Sequence, residues 1–212
     1  FGNHVISAGA YMKGMDGLIY FRDPRNLFNG SLSAWEDQVD TGRGDSKGVE
    51  LLYEYQGRDV YVKASGTLSQ STRWDFFEVN QGKPFHAPFD RRIVANVTAE
   101  WKGISAAFIY QDGNWVNGRG ERYEVLLPGN EETVLEYFAT INNHQMPALI
   151  RLDLGYRHTW VGKEVSHTLN VGVCNVLNRF NPFSIYFDTD DEVWKEIALL
   201  PILPNFSYRI EF

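Results

Sequence analysis

The sequence predicts an all-β protein, an antiparallel transmembrane β-barrel with about eight strands. Two patterns and an ending predict it. Apolar and polar residues alternate with period two through every regular stretch. The connections between those stretches alternate between very short and long. The last nine residues place Phe206, Tyr208, Ile210 and Phe212 on one face of a strand and Asn205, Ser207, Arg209 and Glu211 on the other. The pattern runs to the final aromatic, where most soluble domains carry a frayed polar tail.

Residues 5–22 read as one long strand, kinked or bulged at Gly14, Met15, Asp16 and Gly17. A polar, irregular stretch is expected from Asp23 to about Lys47; its Arg43-Gly44-Asp45 is a chance match to an integrin tripeptide. Val49, Leu51, Tyr53 and Tyr55 then alternate with Glu50, Leu52 and Glu54. The short connection Gln56-Gly57-Arg58 leads into Val60, Val62, Ala64 and Leu68, completing a hairpin. After a long link over 72–92, Ile93, Ala95, Val97, Ala99 and Trp101 form the next strand, and Lys102-Gly103 turns into Ile104, Ala106, Phe108 and Tyr110. A second long link covers 112–146. Ile150, Leu152, Leu154 and Tyr156 follow, then a turn over 161–164, then Leu169, Val171 and Val173. The link 177–203 precedes the terminal strand.

Strands of roughly nine to twelve residues have the length that crosses a bilayer at a tilt. Outer-membrane barrels join such strands by short periplasmic turns and long external loops, which puts Phe212 on the periplasmic side. One face is Val, Leu, Ile, Ala and aromatics; the other carries Glu50, Glu54, Lys63, Glu100, Arg151, Asp153, Arg157, Arg209 and Glu211. A soluble sandwich alternates in the same way. Strand length and the turn–loop asymmetry favour the barrel, with its apolar face to lipid and its polar face to the lumen.

Composition agrees. The chain has 212 residues, a formal charge of -7 and 15% aromatic residues, many at the ends of the alternating stretches, as interfacial girdles require. The acidic balance argues against a nucleic-acid partner. Cys174 is the single cysteine, so no disulfide or thiolate cluster forms within the chain, and it reads as a small packed strand residue. No run of eighteen apolar residues could form a spanning helix. The chain opens on Phe1 with neither an initiator Met nor a signal segment, so a mature chain or a fragment is expected.

No catalytic set, metal site or cofactor motif is expected. His158 and His167 flank the 161–164 turn and could face each other, but no carboxylate completes a metal site there. Arg151, Asp153 and Arg157 share the polar face of one strand and read as lumen-lining residues in a charge ladder with Glu100. Asp90, Arg91 and Arg92 stand at the external mouth. The long links carry the candidate ligand contacts Trp74, Trp115, Arg119, Arg122, Tyr123 and Asn143, with Phe76, Phe77 and Phe85 nearby. Aromatic and polar loops of this kind suit ligand recognition and also mutual packing.

Five stretches add a family resemblance: Gly42-Arg43-Gly44-Asp45-Ser46-Lys47-Gly48-Val49-Glu50, Gly82-Lys83-Pro84-Phe85-His86-Ala87-Pro88-Phe89-Asp90-Arg91-Arg92, Asn142-Asn143-His144-Gln145-Met146-Pro147 with the following Arg151-Leu152-Asp153-Leu154-Gly155-Tyr156, Asn175-Val176-Leu177-Asn178-Arg179-Phe180-Asn181-Pro182-Phe183, and Leu200-Pro201-Ile202-Leu203-Pro204. In order and spacing they resemble the C-terminal barrel strands of TonB-dependent outer-membrane receptors of the Bacteroidetes type. The resemblance implies that residues 1–212 are the C-terminal part of a larger plugged barrel, with the plug and the N-terminal strands elsewhere. The alternative is a closed eight-stranded, passive or adhesive barrel. It further implies import of an external ligand with energy from TonB, and as partners outer-membrane lipid, the rest of the receptor, the TonB complex through that remainder, and a surface lipoprotein. In such a family Phe206, Tyr208, Ile210 and Phe212 also serve as the barrel-assembly signal.

Overall fold

The computed structural model of the chain describes residues 2–21, 39–118, 121–127, 131–137, 140–188 and 193–212, with the backbone alone for the strands within 121–137. In chain order its elements are β1 (His4–Phe21), β2 (Val39–Gln56), β3 (Val60–Trp74), α1 (Phe77–Asn80), β4 (Phe85–His86), β5 (Ile93–Trp101), β6 (Ile104–Gln111), β7 (Trp115–Val116), β8 (Glu121–Leu127), β9 (Glu131–Tyr137), β10 (His144–Gln145), β11 (Leu149–Val161), β12 (Ser166–Cys174), β13 (Pro182–Asp188), β14 (Val193–Ala198) and β15 (Leu203–Glu211).

Eight long strands make one antiparallel meander in the order β1-β2-β3-β5-β6-β11-β12-β15, with β4 added at Thr72 and Arg73 of β3. β1 and β15 are its two edges and do not pair with each other, so the sheet is open. The closed eight-stranded alternative is therefore not the arrangement seen. β7 with β10, β8 with β9 and β13 with β14 form three small two-stranded sheets within the long links.

Local chemistry explains the turns. Lys102 and Gly103 both have positive φ, 46° and 87°, as a two-residue turn of mirror-image type requires between Trp101 and Ile104. A Cβ on Gly103 would also strike the carbonyl oxygen of Arg157, which accepts no substitute there. The kink expected near Gly14 is a register shift between Met15 and Leu18, with Gly17 at φ 66°. One boundary differs from expectation. Residues 39–47 are strand, not irregular chain, because β1 is long enough to pair with them as far as Phe21 opposite Val39. Gly42 lies where a Cβ would come within 2.5 Å of the Phe76 ring, so the glycine-rich approach lets a loop aromatic close on the sheet.

Cross-strand register carries each face without interruption. One row runs Ile6, Tyr53, Ala64, Val97, Phe108, Leu152. Another runs Trp101, Ile104, Tyr156, Val171, Phe206. The opposite face holds rows such as Glu100, Ser105, Gly155, Gly172, Asn205. No second layer covers the apolar face among the described residues. Ile6 is 71% exposed, Leu51 56% and Phe206 71%. Among the described residues the buried apolar ones are Phe76, Phe85, Ala87, Ile141 and Met146, and none of them lies in the long strands. The sheet thus has no hydrophobic core of its own; the core belongs to the long links at one end.

Candidate functional site

At that end two links interlock into a cap. Phe76, Phe85 and Tyr20 meet edge to face, with ring centres 5.6 to 6.0 Å apart. Phe76 has no capping side chain for α1; instead Asp40, reaching from β2, accepts the amides of Glu78 and Val79 at 2.8 and 3.1 Å. Buried asparagines tie the two links together. Asn80 Oδ1 accepts the Ile141 amide at 3.2 Å and its Nδ2 donates to the Lys83 carbonyl. Asn142 donates its Nδ2 to the His86 carbonyl at 2.7 Å, and its amide donates to Asn117 Oδ1 at 2.8 Å. Asparagine fits because one short side chain both donates and accepts and because it tolerates the left-handed backbone of Asn142, φ 48°.

Asp90 is buried beneath this layer. Its carboxylate accepts the Ser71 amide at 2.7 Å and meets His86 Nδ1 at 2.8 Å. The His86 ring stacks flat on Trp115, 3.7 Å away and 4° from parallel. Asp90, placed by the sequence at the mouth, is buried there rather than open to solvent. Its two hydrogen bonds are what permit burial instead. Arg91 reaches Asn114 Oδ1 and Gln111 Oε1 at 2.8 and 2.6 Å, bracing the cap on β6. Burial raises the Tyr20 phenol above its ordinary value, with a hydrogen bond from Asn142 acting the other way. Burial lowers the Arg73 guanidinium, opposed by Asp45 and Asp90.

Of the expected ligand contacts, Trp115 is a packing residue held against His86. Trp74 ends β3 half-buried, opposite Arg43. Asn143 is exposed, but its Oδ1 is fixed by the Gly118 amide at 2.6 Å. Arg119 and the side chains of Arg122 and Tyr123 lie outside the described residues. Arg43, Gly44 and Asp45 are paired strand residues in the middle of β2, with no loop-tip geometry.

The polar face is the second part of the site. Arg151 and Asp153 form an ion pair at 2.8 Å, and Asp153 Oδ1 also accepts the Asn175 amide at 2.8 Å. Arg157 does not join them. Its Nε donates to Asn170 Oδ1 at 2.8 Å, and Asn170 donates on to Ser207 at 3.0 Å. Glu100 lies one row away, level with Gly155. The expected four-residue charge ladder is thus an ion pair, a hydrogen-bonded Arg–Asn–Ser chain and a separate carboxylate, because Gly155 interrupts the polar run between Asp153 and Arg157. Together Glu100, Asp153, Arg157, Asn170, Cys174 and Asn205 line a cavity of about 420 Å³ on this face. Gly155 and Gly172 keep it open, since a Cβ at either would meet Ser105 or Asn205 within 2.7 Å. A second cavity, about 460 Å³, lies under the cap among Tyr11, Ser46, Ser69, Ser71, Arg73 and Phe89.

No family model, curated protein or solved structure matches this chain. The chemistry of the site must speak for itself. His158 and His167 do not meet: they pair with Leu169 and Trp160, and contact Trp160 and Tyr208 respectively. Among the described residues no three His, Cys, Asp or Glu side chains converge as a metal site would need. The polar face thus carries two separate cavities, one under the aromatic, asparagine-stapled cap and one toward the Gly103 turn, each lined by hydroxyl, amide or charged groups that suit a polar ligand. Sequence reading missed Asp40, Asn80, His86 and Asn142; the Asn142-Asn143-His144 run was the available signal.

Proposed function

We propose that the chain forms part of the wall and external loops of a TonB-dependent outer-membrane receptor, which binds a ligand outside the cell and imports it with energy from TonB. The observation that carries the membrane reading is the uncovered apolar face shared by all eight long strands, opposite a continuous polar face. A soluble sheet would hide that surface under a second layer. In lipid it needs no cover. Strand length permits a crossing: β5, β12 and β15 have nine residues and β6 has eight. β11, β3, β2 and β1, with 13, 15, 18 and 18, are longer than the roughly nine to twelve expected. Toward the turn end Trp101, Tyr156, Tyr208 and Trp160 are exposed on the apolar face within three successive rows, a band of the kind a headgroup-level girdle forms. At the link end the apolar parity gives way to Lys47 and Gln70 on β2 and β3.

The receptor reading rests on the family resemblance and on the open edges of β1 and β15. Bare edges in hydrocarbon would leave amides and carbonyls unpaired at several kcal/mol each. Further strands must complete the wall, and a wider barrel has room for a plug. Deleting the gene and measuring uptake of labelled iron chelates, cobalamin, glycans and peptides tests this. Loss of uptake of one class, matched by loss when the inner-membrane proton gradient is dissipated, is the expected result. Uptake that survives dissipation of that gradient would identify a passive barrel instead.

A further inference from the structure

On β2, Gly44, Ser46 and Gly48 fall in turn on the polar face. Each glycine receives a side chain from a neighbouring strand. A Cβ at Gly48 would come within 2.8 Å of the Tyr11 ring, and one at Gly44 within 2.6 Å of Arg73 Nη1. Between ring and guanidinium, Ser46 stands directly opposite Ser71. Tyr11, Ser46, Ser71 and Arg73 line the cavity of about 460 Å³ under the cap, and Phe89 stands in its wall with 81% of its surface exposed.

Arg73 is unlike its counterparts. Arg91, Arg151 and Arg157 each hold an amide or carboxylate oxygen at 2.6 to 2.8 Å. Arg73 reaches only Ser71 Oγ and the Thr72 carbonyl, both through Nη1 and both at 3.4 Å. Its Nε and Nη2 have no partner among the described residues, and no carboxylate there comes within ion-pair distance of it. Asp90 is committed to the Ser71 amide and to His86, and Asp45 belongs to the opposite face of β2. Nε and Nη2 share one edge of the planar guanidinium, and such an edge takes both oxygens of a carboxylate. Arg73 is half-buried, so a charged partner there is worth more than in open water.

We propose that this cavity is a subsite for an organic carboxylate: the carboxylate binds the Nε–Nη2 edge of Arg73 and the Ser46 hydroxyl, and its apolar body lies between Tyr11 and Phe89. Lys13, opposite Ser46 on β1, adds a second positive charge beside the site. A monoanion suits the cavity better than a dianionic phosphate, because buried Asp90 lines it as well. That a ligand from outside the cell arrives here rests on the receptor reading.

The test titrates the intact protein in detergent micelles with naphthoate, its uncharged isostere naphthamide, and naphthyl phosphate, read by calorimetry. Naphthoate is expected to bind about tenfold or more tightly than naphthamide, and naphthyl phosphate no more tightly than naphthoate. Arg73→Gln should abolish the preference for acid over amide, and Arg73→Lys should keep only part of it, because an ammonium lacks the fork. Equal binding of acid and amide, no binding of naphthoate, tighter binding of the phosphate, or a preference that survives Arg73→Gln would overturn the subsite. The comparison of acid with amide needs no variant, so a misfolded Arg73→Gln does not blunt the test. The uptake experiment separates the subsite from the receptor reading. Gradient-dependent uptake confined to uncharged ligands would overturn the subsite alone. Carboxylate binding together with gradient-independent uptake would overturn the receptor reading and leave the subsite standing.

Discussion

The wall and the cap solve opposite problems with one chain. In the wall, large hydrophobic side chains such as Leu51, Val97 and Phe206 stand exposed, and stability comes from a continuous ladder of backbone hydrogen bonds. In the cap, Phe76 and Phe85 are buried, only the ends of β1 and β2 reach in through Tyr20 and Asp40, and Asn80, Asn142 and Asp90 supply bonds that a ladder would. Under the membrane reading proposed above, the difference reflects two solvents: a cap surrounded by water gains by hiding apolar surface, whereas a wall surrounded by lipid tails, themselves apolar, gains nothing by hiding it.

If the two regions follow different rules, the same kind of change should act differently in each. The largest effect is expected at the cap: Phe76→Ala removes a fully buried ring, at a cost of about 3–5 kcal/mol. Hydrogen exchange should show the amides of Asn80 and Ile141 losing protection while those of β5 and β6 keep theirs. Equal loss in both regions would mean that one core serves the whole molecule.

Next comes the wall. Val97 lies midway along β5 on the apolar face, and Asn96 beside it on the polar face. Val97→Arg should lower stability in lipid by about 2–4 kcal/mol. Asn96→Arg should cost about 1 kcal/mol or less, as at a solvated site. Urea unfolding in vesicles measures both, and equal costs would erase the distinction between the faces.

Asn142→Ala should cost about 1–3 kcal/mol within the cap, because it leaves the part-buried His86 carbonyl without its donor. Protection at Ile141 and Asn142 would fall, with the unfolding midpoint of the wall unchanged.

The smallest effect is one of pH. The folded-state value of Tyr20 lies above the ordinary 10.0, so its contribution to the cap is complete below about that pH and is lost as pH rises through the folded-state value. Protection of the cap amides should therefore decline in alkali. Tyr20→Phe should flatten that decline.

The wall was legible in the sequence because a strand's side chains alternate strictly. Val49 to Tyr55 or Ile93 to Trp101 announce their faces residue by residue, and Lys102-Gly103 announces its turn. The extension of β2 back to Val39 was not legible, since Gly42, Gly44 and Gly48 carry no face and are explained only by Phe76, Arg73 and Tyr11 lying against them. The cap was largely hidden for a different reason. Its contacts join residues such as Asn80 and Ile141, or His86 and Trp115, that are distant in sequence and follow no period. Trp115 was readable as an important aromatic, but only its flat stack on His86 shows that it packs.

The most direct test of the central claim is a label scan along β5. Single NBD-labelled cysteines at Ala95, Asn96, Val97, Thr98 and Ala99, in the intact protein without Cys174 and reconstituted in lipid vesicles, report which solvent each side chain meets. Two-residue alternation is expected, with Ala95, Val97 and Ala99 quenched by doxyl lipid and Asn96 and Thr98 by aqueous iodide. Iodide quenching at all five positions would contradict a lipid-facing wall.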